Sequence, residues 1–264
     1  MRCSTIAERG WHELAFRTSK PRHKRREIGG RPMLHSLISP KQAIVDYRQV
    51  PDAICGLSPQ VDSMRGIVSY QRGEEIYAGT DPAEHWYCVI SGAARKYALL
   101  SDGRRRIIDF LLPGDFFGFR ARHQDFFATD AIAAGTIVAR YPSRRLEAMA
   151  DADPQLGRRI REIVFESVAR SQARLLILGR VTAIEKVGAF LIEMGQRSFD
   201  RNQQAVVLPM SRYDIADYLA ISVETVSRAL TELKRRGMIR YVGTRRIHLL
   251  APEPLENGMQ RKAG

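Results

Sequence analysis

A chain of 264 residues has room for one large domain or two modest ones, each with its own buried core. Forty-two Lys and Arg against 29 Asp and Glu leave a net charge of +13, which favours a polyanionic partner, although acidic lipid would suit that charge as well. No run approaches the roughly 18 apolar residues of a membrane span, and no apolar stretch near the start marks a secretory signal. Three scattered cysteines, Cys3, Cys55 and Cys88, fit a reducing compartment rather than a disulfide framework, so the cytoplasm is the expected location.

Residues 1–50 read as an extension outside the fold. They hold eleven Lys and Arg against four Asp and Glu, with the run Lys20-Pro21-Arg22-His23-Lys24-Arg25-Arg26 at their centre. Such a stretch is a basic arm on DNA, a disordered tail, or sequence upstream of the true start. More than half of the net charge lies there, which weakens the inference from total charge to DNA.

Residues 51–145 change to short alternating runs broken by turns: Arg72-Gly73-Glu74, Ala78-Gly79-Thr80-Asp81, Ser91-Gly92, Asp102-Gly103 and Pro113-Gly114-Asp115. Trp86, Cys88 and Ile90 alternate with Tyr87 and Val89, and Ile107 to Leu112 forms another apolar strand. Strands at this spacing predict an antiparallel barrel or jelly roll. Cys88, inside a strand pattern, is expected to be a small core residue.

Asp153-Pro154 supplies a helix start, an N-cap followed by proline at the first helical position. Residues 146–178 read as a linking helix. Ile160, Val164, Val168, Ser171, Leu175 and Leu178 recur on it at steps of three and four, along about 27 Å of helix. A helix joining two domains is not covered along its whole length by either of them. A twin helix from a second copy would bury the seam, so a homodimer is expected, with these six residues at its interface.

Residues 179–250 form the last domain, after a hinge at Leu178-Gly179-Arg180. Thr182 and Glu185 have capping-box spacing, and Val187, Phe190, Leu191 and Met194 give the following helix an apolar face. Ser211 and Asp214 repeat the spacing, with Asp in place of the usual Glu, and Ile215, Ala216 and Leu219 face inward. Ala220-Ile221-Ser222 is the turn, with Ser222 as the next N-cap. Many such turns carry Gly where this chain has Ala220, so positive φ and a small strain are expected there. Val226, Leu230 and Leu233 then pack inward, leaving Val223, Glu224, Ser227 and Arg228 outward at the start of the second helix.

A helix-turn-helix sets that part of its second helix against base edges in the major groove. Arg grips guanine O6 and N7 together, Glu accepts from cytosine N4, and Ser serves either base. Lys234, with Arg235 and Arg236 beside it, suits phosphates; Ser211, Arg212, Ser222, Thr225 and Arg245 complete a set expected to meet or support the DNA backbone. Ile239 to Val242 and Arg246 to Leu250 flank Gly243-Thr244-Arg245 as a hairpin wing. Residues 251–264, with Pro252 and Pro254, form a loose tail.

Val223-Glu224-Thr225-Val226-Ser227-Arg228 resembles the recognition helix of the CRP/FNR transcription regulators, and within them the FNR and FixK branch. The roll is similar to that family's cyclic-nucleotide-binding β-roll at Ile76-Tyr77-Ala78, Val89-Ile90-Ser91-Gly92 and Pro113-Gly114-Asp115-Phe116-Phe117-Gly118. Asp102-Gly103-Arg104-Arg105 and Leu112-Pro113-Gly114-Asp115 resemble FixK-type members. The resemblance implies an α+β chain: β-roll, dimerisation helix and C-terminal winged helix-turn-helix. It implies double-stranded DNA with TTGAT half-sites in an inverted repeat as partner. It also implies an activator role under low oxygen, for which RNA polymerase is the further expected partner.

Cyclic-nucleotide binders of this family place Glu, then Arg-Ser, after the Gly-Asp turn, because a phosphate buried in the roll must have its charge paired. Here those positions hold Gly118-Phe119 and Phe127-Ala128, with Arg120 and Arg122 at the wrong offset. An FNR-type iron–sulfur centre would take four thiolates, and the chain has three cysteines without short spacing. His85, His123 and His248 make no metal-ligand pair, and a barrel enzyme would need clustered His and Glu. No cofactor, no metal and no enzymatic activity are therefore expected. The alternative is an effector-gated regulator sensing a small molecule or a redox signal in the roll.

Overall fold

The computed structural model describes residues 55–78, 84–100, 103–119, 127–200, 205–243 and 245–250. The basic extension at 1–50, Cys3, the turn residues Gly79, Thr80 and Asp81, Asp102, Arg120, Arg122, His123, Thr244 and the tail at 251–264 lie outside the described residues.

A one-turn helix, α1 (Pro59–Asp62), leads into β1 (Gly66–Tyr70), β2 (Glu75–Tyr77), β3 (His85–Ser91), β4 (Ala94–Leu99), β5 (Arg105–Leu111), β6 (Phe116–Phe117), β7 (Phe127–Ala131) and β8 (Thr136–Pro142). These strands make two antiparallel four-stranded sheets, in the orders β1-β8-β3-β6 and β2-β7-β4-β5. Val68, Tyr70, Tyr77, Tyr87, Val89, Leu111, Phe117 and Val138 fill the space between them. The turns of the roll rest on left-handed glycines; at Gly92 (φ 80°) a Cβ would stand 2.6 Å from Thr136 Oγ1, so no larger residue fits.

The alternation in β3 buries both of its faces. Tyr87 and Val89 point into the roll, while Trp86, Cys88 and Ile90 point outward into a second core. That second core is closed by α2 (Ser143–Ala152) through Leu146 and by α3 (Pro154–Leu178) through Leu156 and Ile163. Cys88 is the fully buried core residue the strand pattern predicts. The expectation of three unpaired cysteines is corrected. Cys55 and Cys88 are joined by a disulfide, with Cα atoms 6.1 Å apart and a separation of 33 positions in sequence. The fold lays the segment before α1 over β3, a proximity that sequence spacing does not carry.

Asp153 caps α3 as predicted, its carboxylate accepting from Gln155 N, with proline following. The predicted stripe, however, is rotated. Ile160 and Val164 turn toward the second core and are half-buried there, so they belong to the roll. Buried Ile163 and Ile177, absent from that stripe, share the work of anchoring the helix. The apolar residues left in solvent are Phe165 (68% exposed), Val168 (48%), Leu175 (66%) and Leu176 (75%), with Ser171 exposed among them and Leu178 half-buried. Phe165, Val168, Leu175 and Leu176 lie on one side of the helix, within about 100° of arc at 3.6 residues per turn.

The last domain comprises α4 (Ala183–Arg197), β9 (Phe199–Asp200), β10 (Ala205–Val207), α5 (Arg212–Leu219), α6 (Val223–Arg235), β11 (Ile239–Tyr241) and β12 (Arg246–Leu249). The hairpin β11–β12 is the predicted wing, extended by β10 and β9 into a four-stranded sheet. Both capping boxes form, Thr182 with Glu185 and Ser211 with Asp214. Val187, Phe190, Leu191 and Met194 of α4 pack with Ile215, Tyr218 and Leu219 of α5 and Val226, Leu230 and Leu233 of α6. The same core takes in Ile107, Phe110 and Leu112 from the roll, so the two domains share one apolar interior.

Ala220 closes α5 at φ 55°, ψ 44°, and among the described residues it alone is a non-glycine with positive φ. A left-handed L-residue costs roughly 1–2 kcal/mol, against roughly 0.5–1 kcal/mol for the extra chain entropy of glycine. Ala220→Gly is expected to stabilise the chain by about 0.5–1 kcal/mol, read as a rise in the urea midpoint at unchanged slope.

Candidate nucleic-acid interface

The surface that could read bases is the first half of α6. Ser222 caps it, its hydroxyl accepting from Thr225 N at 3.2 Å and lying 3.0 Å from the Thr225 hydroxyl. The cap aims the positive end of the helix dipole outward, where a phosphate would lie. Glu224 and Arg228 are exposed. The Glu224 carboxyl is held below its ordinary pKa by its own backbone N–H and the Ser222 hydroxyl, so it is an acceptor throughout the neutral range. Ser227 is partly exposed, and Arg212 Nη1 donates to its hydroxyl at 3.3 Å, tying the start of α5 to the reading helix. Val223 departs from the expectation. It is half-buried and packs against the domain core, so it supports α6 and does not stand free on its outer face.

The basic residues divide by partner. Arg235 and Arg236 both close on Glu232 at 2.7 Å, which neutralises part of the charge expected there. Lys234 is exposed at the C-terminal end of α6, and Arg245 is exposed in the wing. Ser211 is half-buried as the cap of α5, and Thr225 is half-buried beneath Ser222.

What sequence reasoning missed is how this surface is held. Asp214 is 3% exposed and its two oxygens are used differently. Oδ2 accepts from Ser211 N at 2.9 Å and the Ser211 hydroxyl at 2.7 Å. Oδ1 accepts from two arginines of the roll: Arg95 Nη1 in a very short contact and Arg105 Nη2 at 3.2 Å. Arg95 in turn grips Asp130 of β7 with two bonds, at 2.7 and 2.6 Å. Arg105 also reaches Asp217 at 3.4 Å, and Arg106 donates to the Asp217 carbonyl at 3.3 Å. From α3, Arg174 donates to the carbonyls of Ile107 and Tyr218, at 2.7 and 3.2 Å, and stacks 4.8 Å over the Tyr218 ring.

A second anchor sits at the turn Leu112-Pro113-Gly114-Asp115. Asp115 accepts from Leu112 N and from Arg197 of α4, each at 2.7 Å, and Arg170 of α3 lies 3.4 Å away. Arg197 also donates to the Phe110 carbonyl at 2.6 Å. Burial disfavours its charge, but the carboxylates of Asp115, Asp109 and Glu193 outweigh that and raise its pKa. The sequence carried one signal of these anchors, the Asp in place of Glu at the second capping box. A shorter side chain there caps the helix with one oxygen and leaves the other for Arg95. Among the described residues, no group of three or more His, Cys, Asp or Glu is placed to hold a metal ion.

Burial pushes the Asp214 carboxyl up, but the Ser211 hydroxyl, the Ser211 N–H and Arg95 outweigh it, and its pKa lies below the ordinary 3.8. A carboxyl depressed on folding stabilises fully above its unfolded value of about 3.9, and that contribution is lost as pH falls through the folded value. Asp214→Ala leaves Arg95 without one of its carboxylates and is expected to cost about 3 kcal/mol at pH 7. Denaturant titrations at pH 7 and pH 3 check this, and the gap between parent and variant should narrow at the lower pH.

Residues 185–257 match the Crp-like helix-turn-helix domain and residues 67–153 the cyclic nucleotide-binding domain. The chain is 39% identical over 193 residues to the nitrogen fixation regulation protein FixK of Rhizobium meliloti (strain 1021), covering 73% of this chain and 87% of that one. It is 30% identical over 226 residues to the transcriptional activator protein anr of Pseudomonas aeruginosa, covering 78% and 92%. Among solved structures, FixK2 from Bradyrhizobium japonicum shares 41% identity at a TM-score of 0.68, over 73% of this chain and 96% of that one. With a jelly roll, a long helix and a winged helix-turn-helix in that order, the chain belongs to the CRP/FNR family of transcription regulators, among its FixK-like members.

Proposed function

We propose that two copies of this chain pair along α3 and read an inverted repeat of TTGAT half-sites, activating genes linked to low oxygen through contact with RNA polymerase. The reading places it in the cytoplasm, and no helix among the described residues is long and apolar enough to cross a membrane. It works without a cyclic nucleotide or an iron–sulfur centre of its own. The observation that carries it is the outward pair Glu224 and Arg228, flanking Ser227 at the capped end of α6. In the roll, Phe119 packs edge-on against Trp86 at 4.5 Å, and Phe127-Ala128 opens β7 where a phosphate would need a guanidinium. The names of the relatives, a nitrogen fixation regulation protein and a transcriptional activator, support the regulatory role.

Pairing along α3 follows from the apolar side chains left in water. Phe165, Val168, Leu175 and Leu176 form a patch that a two-fold copy would cover with the same residues. Two recognition helices would then lie one DNA turn apart, about 34 Å.

Gel-shift binding to a TTGAT-N4-ATCAA duplex and a scrambled control, without effector, tests the reading. Equal affinity for both duplexes would overturn it. Arg228→Ala or Glu224→Ala is expected to cost about 1–3 kcal/mol of discrimination per half-site. Lys234→Ala should instead weaken both duplexes alike and reduce the salt slope by about one. Phe165→Asp should convert the dimer to monomer in sedimentation velocity and abolish matched-site binding at the same chain concentration. A dimer that persists would displace the interface from this face of α3.

A further inference from the structure

Beyond DNA reading, a buried sulfur pair lies against the roll. Cys55 stands in the turn before α1 and Cys88 in the middle of β3, both buried and joined. The Val89 carbonyl, which accepts from Gly114 N at 2.9 Å, lies 3.3 Å from Cys55 Sγ and 3.6 Å from Cys88 Sγ, so its second lone pair stands beside both sulfurs.

The cover over the pair is one short segment, with Val61 fully buried and Leu57 and Met64 packed on the same core. α1 is a single turn, capped by Ser58 and held by the Tyr141 hydroxyl, which stands 3.2 Å from both the Cys55 carbonyl and Asp62 Oδ1. A single turn at the edge of the fold opens locally at less cost than unfolding the sheets beneath it, and such an opening would admit a small thiol to the sulfurs. What lies under the segment is not inert. Cys55 and Cys88 share their core with Leu156 and Ile163 of α3, and Ile160 and Val164 pack against the same cluster.

We propose that Cys55 and Cys88 are a reversible dithiol–disulfide site, exchanging with low-molecular-weight thiols and disulfides of the glutathione class and setting how firmly residues 55–65 clamp the first half of α3. In the oxidising direction one cysteine thiolate attacks glutathione disulfide, whose S–S bond breaks and releases one glutathione thiolate. The second cysteine thiolate then displaces the other glutathione from the mixed disulfide. Two protein thiols are oxidised, one glutathione disulfide is reduced to two glutathione thiols, and the protons leave with them. The disulfide form holds α3 in place for pairing and is the tighter DNA binder. That last consequence rests on the dimeric reading above, whereas the exchange itself does not.

The test uses the full chain carrying Cys3→Ser, equilibrated across glutathione redox ratios, trapped with N-ethylmaleimide and counted by mass. The expected result is one two-electron transition between zero and two alkylated sulfurs, with peptide mapping placing the bridge at 55–88. Sulfurs that stay wholly reduced or wholly oxidised across the range, or that stop at mixed glutathione disulfides, would overturn the site. Matched-duplex affinity is then measured at both ends of the transition. At least about fivefold tighter binding is expected for the disulfide form, with a chain also carrying Cys88→Ser held at the weaker value in both buffers. Should circular dichroism show that variant unfolded, Cys55→Ser, outside the strands, replaces it. Equal affinity of the two forms, or a response that survives either substitution, would overturn the coupling. A clean thiol transition in a chain that does not discriminate the matched duplex would instead sink the DNA reading and leave the redox site standing.

Discussion

One carboxylate joins the local and the tertiary structure of this chain. Asp214 satisfies the first turn of α5 with one oxygen and receives two arginines of the roll with the other. Either task alone is ordinary. Together they tie the register of α5 to β4 and β5, because a buried charge is stable only when it is paired and hydrogen-bonded. α6 inherits that register through the left-handed turn at Ala220 and the bond from Arg212 to Ser227. The face offered to DNA is thus aimed from within the roll, by residues that stand on its second sheet.

The long helix divides its circumference in the same way. One side, with Leu156, Ile163 and, half-buried, Ile160 and Val164, closes the outer face of the first sheet. Arg170 and Arg174 run off another side to β5 and the following turn. Only what remains, around Phe165, Val168, Leu175 and Leu176, is apolar and in water. α3 is therefore a spine shared by three neighbours: the roll, the reading domain and, in the proposed dimer, its own copy.

Local signals in the sequence were legible because they are made of neighbours. Ser211 and Asp214, Thr182 and Glu185, Asp153 and Pro154, and Ser222 each announce a helix start in three or four residues, and each cap forms. The strain at Ala220 was legible for the same reason. The alternation of Trp86 to Ile90 marked a strand but not that both its faces are buried, since helices arriving from 60 residues downstream cover one of them. In the α3 stripe, Ile160 and Val164 also pack against the roll's second core, a contact that spacing along the helix does not announce. The pairing of Cys55 with Cys88 and the grip of Arg95 on Asp214 depend on contacts across 33 and 119 residues, where no local pattern points.

Ile107, Phe110 and Leu112 of the roll lie in one interior with Phe190 and Tyr218, so the sensor-like and reading halves share an apolar core. Heating should melt both together as a single transition, since neither half keeps a finished surface once the other is gone. A fragment starting at α4 would display Phe190 and Tyr218 to solvent and aggregate. For such a chain the reading head is not a detachable module, and grafting it onto another roll would succeed only where the host supplies a matching aromatic socket.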